Sequence, residues 1–265
     1  DKKYLITEMI DKPDFYEGEI FYDALYEIDK SMAEKIKEYS LSIQDFKEYI
    51  EMWIHEVKLP LASLNLIVHN HKELSDKKIT EQLKRLDDDI EQVLYYVRSE
   101  NAEKDYLIKE TEIAKVISNV AIKNKDILLE NNINFEVEVG NTKVLTDSKW
   151  LEFIVNQIVS NSIKYIRNDV EHLIKITTEE NNKNVILKIY DNGIGISKSD
   201  IPKVFDKTFT GNNGRKIETS TGMGLYISKQ LCKKLGHKIT VDSKENEYTE
   251  VSILFNKNDF LNVAK

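Results

Sequence analysis

Ile79, Leu83, Leu86, Ile90, Val93 and Val97 follow one another at intervals of 4, 3, 4, 3 and 4. That spacing puts a row of branched apolar side chains on one seam of a helix and demands a partner for it. A second amphipathic pattern lies upstream, in Phe46, Ile50, Trp53, Val57, Leu61, Leu64 and Val68. Ser75-Asp76-Lys77-Lys78 reads as the short turn between the two. Two antiparallel helices cannot bury both seams by themselves, whereas two copies paired as a four-helix bundle can. The spacing therefore predicts a homodimer through residues 42–100. The alternative is a bundle within one chain, with residues 14–40 as its third member.

Residues 14–40 carry Phe15, Ile20, Phe21, Leu25, Ile28, Met32, Ile36 and Tyr39 at helical spacing, after a weakly structured lead-in that ends near Pro13. Inside the next segment stands Trp53-Ile54-His55-Glu56-Val57-Lys58-Leu59-Pro60. At about 100° per residue, His55 falls on the side opposite the apolar seam. A solvent-facing histidine beside a glutamate is a candidate nucleophile with a candidate base; the plainer reading is a surface histidine on a bundle face. Pro60 removes a backbone donor and can kink the helix just past it.

At 265 residues the chain has room for two domains. Asp and Glu outnumber Lys and Arg 46 to 38, for a formal charge of −8. That balance argues against direct nucleic-acid binding as the main task. The lone Cys232 permits neither an internal disulfide nor a zinc framework, which suggests a reducing compartment. No apolar run reaches membrane-spanning length. The chain opens on Asp-Lys-Lys and is expected to be cut from something longer.

The helical pattern breaks near residues 101–105, and the expected organisation is residues 1–41 as a partly helical connector, 42–104 as a helical hairpin and 105–265 as a domain of mixed helices and strands. In that last part Thr111–Glu130 reads as a helix, Ile133–Val139 as a strand and Asp147–Tyr165 as a helix with Asp147 as its N-cap. Leu173–Glu179 and Val185–Asp191 alternate as strands, Gly222–Leu235 reads as a helix, and Lys238–Asp242 with Glu250–Phe255 reads as a hairpin. Antiparallel strands with helices on one face make an α+β sandwich.

Three stretches of this half can carry chemistry. Asp191-Asn192-Gly193-Ile194-Gly195-Ile196 ends a strand; its glycines permit close approach of a flat ligand, and its carboxylate can accept from an exocyclic amine such as that of adenine. Ser220-Thr221-Gly222-Met223-Gly224-Leu225 opens a helix on glycine and can cradle phosphate on backbone N–H groups, without being a P-loop or a dinucleotide fingerprint. Gln157, Asn161, Lys164 and Tyr165 share a broad helix face, where amide oxygen and ammonium suit a triphosphate with magnesium. Each has a plainer reading as a turn, a tight helix start or a solvated face. Between the glycine stretches, Val204 to Arg215 holds Phe205, Phe209, Thr210 and Gly211 and can act as a lid, with Arg215 able to reach a phosphate.

Taken in this order, the elements resemble a sensor histidine kinase. His55 to Pro60 is similar to the H box, Gln157 to Tyr165 to the N box, Asp191 to Ile196 to the first glycine box, Val204 to Phe209 to the F box, and Thr221 to Leu225 to the second glycine box. More narrowly, Phe209 to Arg215 and Ser220 to Tyr226 resemble the bacitracin-sensor, intramembrane-sensing kinases. The resemblance implies a helical hairpin that becomes a four-helix bundle in the dimer, followed by an ATP-binding domain of the histidine kinase and Hsp90 type. It implies ATP and Mg²⁺ as cofactors. His55 would be the phosphoacceptor and Glu56 its base; Asn161, with Gln157, would sit at the metal. The nucleotide would be held by Asn161, Lys164, Tyr165, Asp191, Gly193, Gly195, Ile196, Phe209, Thr210, Gly211, Arg215, Thr221, Gly222, Met223, Gly224 and Leu225. The implied partners are a response regulator with a receiver domain, of the winged-helix transcription-factor kind, and a peptide-antibiotic ABC transporter, in a cell-envelope or antimicrobial-peptide stress response. The implied location is the cytoplasmic part of a bacterial membrane protein whose membrane segment lies outside this sequence. Two positions depart from the pattern: Gln157 stands where asparagine is usual, and Leu59 where a threonine or asparagine places water for dephosphorylating the regulator. The competing function is an ATPase or serine kinase on the same nucleotide fold.

Overall fold

The computed structural model describes residues 11–70, 77–100, 106–167, 169–211 and 222–257. The chain divides into two units, Asp1–Val97 and Arg98–Lys265.

The first unit is helical. Helix α1 (Tyr16–Asn70) runs unbroken through the connector and the His55 segment, and carries Pro60 inside it. Helix α2 spans Lys77–Glu100. On α1 the covered stripe runs through Ile50, Ile54, Val57, Leu61 and Val68, with Ile54 fully buried. Phe46 and Leu64, expected on that seam, are exposed. Ile54, which the seam omitted, continues the heptad of Leu61 and Val68, so the buried stripe lies to one side of the one expected. The α2 seam is split in an ordered way. Leu83 and Val97 are buried and Ile90 is half-buried, whereas Ile79, Leu86 and Val93 are exposed. Each set repeats every seven residues, so one flank of the seam is covered and the other is open. Among the described residues, no helix is long and apolar enough to cross a membrane.

The second unit is an α+β sandwich. Strands β1 (Lys109–Glu112) and β3 (Lys143–Thr146) form a small antiparallel ladder. Helix α3 (Ile113–Lys123), helix α4 (Lys125–Glu130) and strand β2 (Asn134–Glu138) lie between them in sequence. Next come helix α5 (Ser148–Lys164), strands β4 (Leu173–Glu180) and β5 (Asn184–Asp191), helix α6 (Gly224–Lys234), and strands β6 (Lys238–Lys244) and β7 (Tyr248–Asn256). The main sheet has the order β2-β4-β5-β7-β6. One face of it is covered by helices, α5 beside α3 and α6.

Asp147 caps α5 through hydrogen bonds from the Lys149 and Trp150 amides, both 2.9 Å. Leu151, Ile154, Ile158 and Val159 then bury themselves at a helical spacing against the sheet. Full burial of each such side chain contributes about 1.5–3 kcal/mol.

Three expectations change. The stretch Thr111–Glu130 is not one helix: Thr111 and Glu112 belong to β1, and the helix breaks at Asn124. The buried Asn124 side-chain amide donates to the Val120 carbonyl (2.9 Å), which the Asn124 backbone N–H also reaches (3.1 Å), and to Asn156 Oδ1 (2.8 Å), so the break is tied to α5 by a side chain. Strand β2 pairs parallel with β4, not antiparallel, because α5 lies in the connection that returns the chain to the same edge. Finally, α6 begins at Gly224, two residues later than expected, since Gly222 is in the left-handed region at φ +66°.

Candidate active site

Strand β5 alternates between half-buried and buried positions, with Val185, Leu187, Ile189 and Asp191 on the covered face. The two-residue period thus carries a carboxylate into the layer where the helices lie. There the Ser162 hydroxyl of α5 donates to Asp191 Oδ2 at 2.7 Å, and the Gly193 amide donates to Oδ1 at 3.0 Å. Burial pushes the Asp191 carboxyl above its ordinary range; the two donors pull the other way and do not cancel it. A carboxylate has about four lone-pair sites, so two donors leave capacity for a further one. That residual capacity on a buried acid fits the amine of a purine.

The loop after Asp191 is held from two sides. The Ile194 amide donates to the Tyr165 carbonyl at the end of α5 (2.9 Å). Asn192 accepts from the Leu173 amide (2.9 Å) and donates to the Glu171 carbonyl (2.7 Å). A methyl group on Gly193 would run into the Tyr165 carbonyl, and one on Gly195 (φ +64°) into the Lys244 carbonyl. Both glycines are therefore required by close backbone approach.

Asn161, Lys164 and Tyr165 end α5 half-buried, with Lys164 Nζ 5.9 Å from the Tyr165 ring centroid, and Gln157 stands one turn before Asn161. Phe209, Thr210 and Gly211 are half-buried, as is Ile196. Gly222, Met223, Gly224 and Leu225 lead into α6, and Met223 at the N-cap has no side-chain oxygen to offer the first amides. A methyl on Gly222 would lie 2.6 Å from the Thr208 carbonyl carbon, so the F-box stretch and the second glycine stretch meet backbone to backbone. Thr208 is itself left-handed at φ +60°. Lys229 of α6 lies over the Phe205 ring at 5.4 Å.

His55 and Glu56 lie within α1, in the other unit. Arg215 and Thr221 lie outside the described residues. Ser162, Asn192 and the Tyr165 carbonyl were not singled out by the sequence. Ser162 stood inside the N-box text, and its adjacency to Asn161 was the available signal. Among the described residues there is no cluster of three or more His, Cys, Asp or Glu side chains suited to a metal. Magnesium keeps waters and leans on substrate phosphates, so a single amide oxygen such as that of Asn161 is compatible with it.

Residues 146–259 match the family described as histidine kinase-, DNA gyrase B-, and HSP90-like ATPase. Sensor histidine kinase YxdK of Bacillus subtilis is 29% identical over 236 residues, spanning 88% of this chain and 72% of that protein. Sensor protein kinase GraS of Staphylococcus aureus is 31% identical over 235 residues, spanning 88% of this chain and 67% of that protein. The structure of Acinetobacter baumannii histidine kinase AdeS covers 77% of this chain and 98% of its own, with a TM-score of 0.57 at 22% identity. ShkA, solved full-length with AMPPNP, covers 78% and 45% with a TM-score of 0.60 at 18% identity. The two structures share the fold, and the two sequences supply the rest: this chain belongs to the sensor histidine kinases, ATP-dependent enzymes, and to the kind that includes GraS and YxdK.

Proposed function

We propose that the chain phosphorylates His55 from Mg-ATP and passes the phosphoryl group to an aspartate of a response regulator with a receiver domain. The observation that carries the nucleotide half is the buried Asp191, held by Ser162 and Gly193 with acceptor capacity to spare. In this reading Asp191 selects the base, Gly193 and Gly195 let the loop pack close enough to shape its slot, Asn161 would hold the magnesium with Gln157 in support, and Lys164 with the amides after Gly222 faces the phosphates. Tyr165, Ile196, Phe209, Thr210, Gly211, Met223, Gly224 and Leu225 line the remainder, with Arg215 and Thr221 added from outside the described residues. Magnesium supplies charge neutralisation. The protein contributes placement and fixed donors. Glu56 orients the His55 ring and takes the proton from one ring nitrogen. The other nitrogen forms the N–P bond as the bond from the γ-phosphorus to the ADP oxygen breaks.

The open flank of α2, Ile79, Leu86 and Val93, supports a homodimer as the working unit. The same reading makes the chain the cytoplasmic part of a membrane protein, its regulator a winged-helix transcription factor, and its input a peptide-antibiotic transporter in envelope stress.

Incubation with γ-labelled ATP and Mg²⁺, alongside His55→Gln and Asn161→Ala, is the test. Acid-labile label is expected on the parent and on neither variant. Label that persists in His55→Gln, or resists acid, moves the reading to a serine kinase on the same fold.

A further inference from the structure

We infer that the β6–β7 hairpin is a positioning clamp on the nucleotide loop, with Ser243 as its principal residue. Ser243 is buried, and its hydroxyl meets three partners. It accepts from the Ile196 amide at 2.9 Å, donates to the Tyr248 carbonyl at 2.6 Å, and lies 3.1 Å from the Thr249 hydroxyl. A hydroxyl has one proton and two lone pairs. With its proton on Tyr248, Ser243 must be the acceptor toward Thr249, and every site on its oxygen is in use.

The hairpin tip holds the same loop a second time. The Asn246 amide donates to the Ile194 carbonyl at 2.8 Å. Asn246 is left-handed at φ +61°, and its own carbonyl accepts from the Arg167 guanidinium. Arg167 stands two residues past Tyr165, whose carbonyl receives the Ile194 amide. Arg167 is braced in turn by Asp169, at 2.9 and 2.6 Å. The contacts close a ring: end of α5, loop 194–196, hairpin tip, Arg167, and back to α5. The backbone of Ile194 is pinned at both its amide and its carbonyl, and that of Ile196 at its amide. A loop fixed in this way needs no ordering when ligand arrives, and preorganisation lowers the cost of binding. Ser243 thus acts on nucleotide affinity through the loop, without touching the reacting atoms. This rests on reading Asp191–Ile196 as the nucleotide loop.

The experiment compares the full chain with Ser243→Ala and Ser243→Thr. Amide hydrogen exchange at Ile196 is measured without nucleotide, Mg-ADP affinity by calorimetry, and autophosphorylation as KM for ATP and kcat. Ser243→Ala is expected to speed Ile196 exchange while strands β4 and β5 stay protected. It should raise KM and the Mg-ADP Kd roughly two- to tenfold, the range for one lost hydrogen bond, with kcat nearly unchanged. Ser243→Thr, which keeps the hydroxyl, should stay near the parent. Unchanged Ile196 exchange overturns the clamp. Faster exchange with unchanged Mg-ADP affinity keeps the contact but overturns its role, and places the fault in the nucleotide-loop reading. A fall in kcat at constant KM overturns the positioning role as well. Should Ser243→Ala fail to fold, Arg167→Gln frees the hairpin tip without touching the ladder. It must then raise KM in the same sense, or the inference falls.

Discussion

Burial holds the Asp191 carboxyl above its ordinary range, so the folded chain binds that proton more tightly than the unfolded chain does. Between the unfolded pKa of about 4 and the raised native one, the native state carries the extra proton, and this contribution to stability fades as pH rises through that window. At neutral pH the charge is a burden on the fold. Asp191→Asn keeps the shape and lets the Ser162 hydroxyl turn to donate or accept. It is expected to raise Tm at neutral pH while weakening Mg-ADP binding by at least about tenfold, as fits loss of a charged acceptor. Thermal unfolding and calorimetry on the same sample check both halves, and a lower Tm contradicts burial as the dominant influence. Cys232 shows the same burial without the function: its thiol is pushed up to about 12 inside α6. At this scale the sequence was readable where chemistry stands in one continuous text, as in Asp191 to Ile196. It was unreadable for Ser243, since its partner amide lies 47 residues away and only folding brings them together.

Elements that bury a regular face were legible, and those without one were not. Helix α5 has an apolar flank and an aspartate cap, and both were readable. Strand β1 buries a single residue, Thr111, so no alternation marked it. The break at Asn124 was hidden because apolar periodicity runs on past it, and the side-chain bond that anchors it reaches Asn156, 32 residues away. The seam of α2 was legible as a heptad, but its division into a covered and an open flank is visible only in three dimensions. That division carries a prediction. Leu86→Asp puts a charge on the open flank of each copy. If the open flanks of two copies cover one another, as proposed, removing both leucines from that interface is expected to weaken dimerisation at least about a hundredfold. Sedimentation should then show monomers at concentrations where the parent is dimeric, and labelling of His55 should fall with it. A variant that stays dimeric assigns the open flank to something else.

For the molecule as a whole, the function proposed above ties the balance between adding and removing phosphate to the side chain one turn past His55. That residue, Leu59, is 71% exposed on α1 and has no group to hold a water. Dephosphorylation of the regulator is expected to be slow, and Leu59→Thr to speed it several-fold with autophosphorylation little changed. Release of phosphate from labelled regulator measures this, and a fast parent unaffected by the substitution contradicts it. The fifty-five residues of α1 have a mechanical meaning as well. From Glu19 to Leu59 no glycine or proline interrupts the helix, which makes a shaft of about 60 Å at 1.5 Å per residue. A twist applied at its upstream end is delivered to His55 as a twist, with no joint between them to absorb it. One backbone rung is missing just afterwards, where Pro60 has no N–H to give the Glu56 carbonyl. If His55 is the phosphoacceptor, as proposed, a turn of the upstream helix would reach it undiminished and meet the missing rung only after passing it.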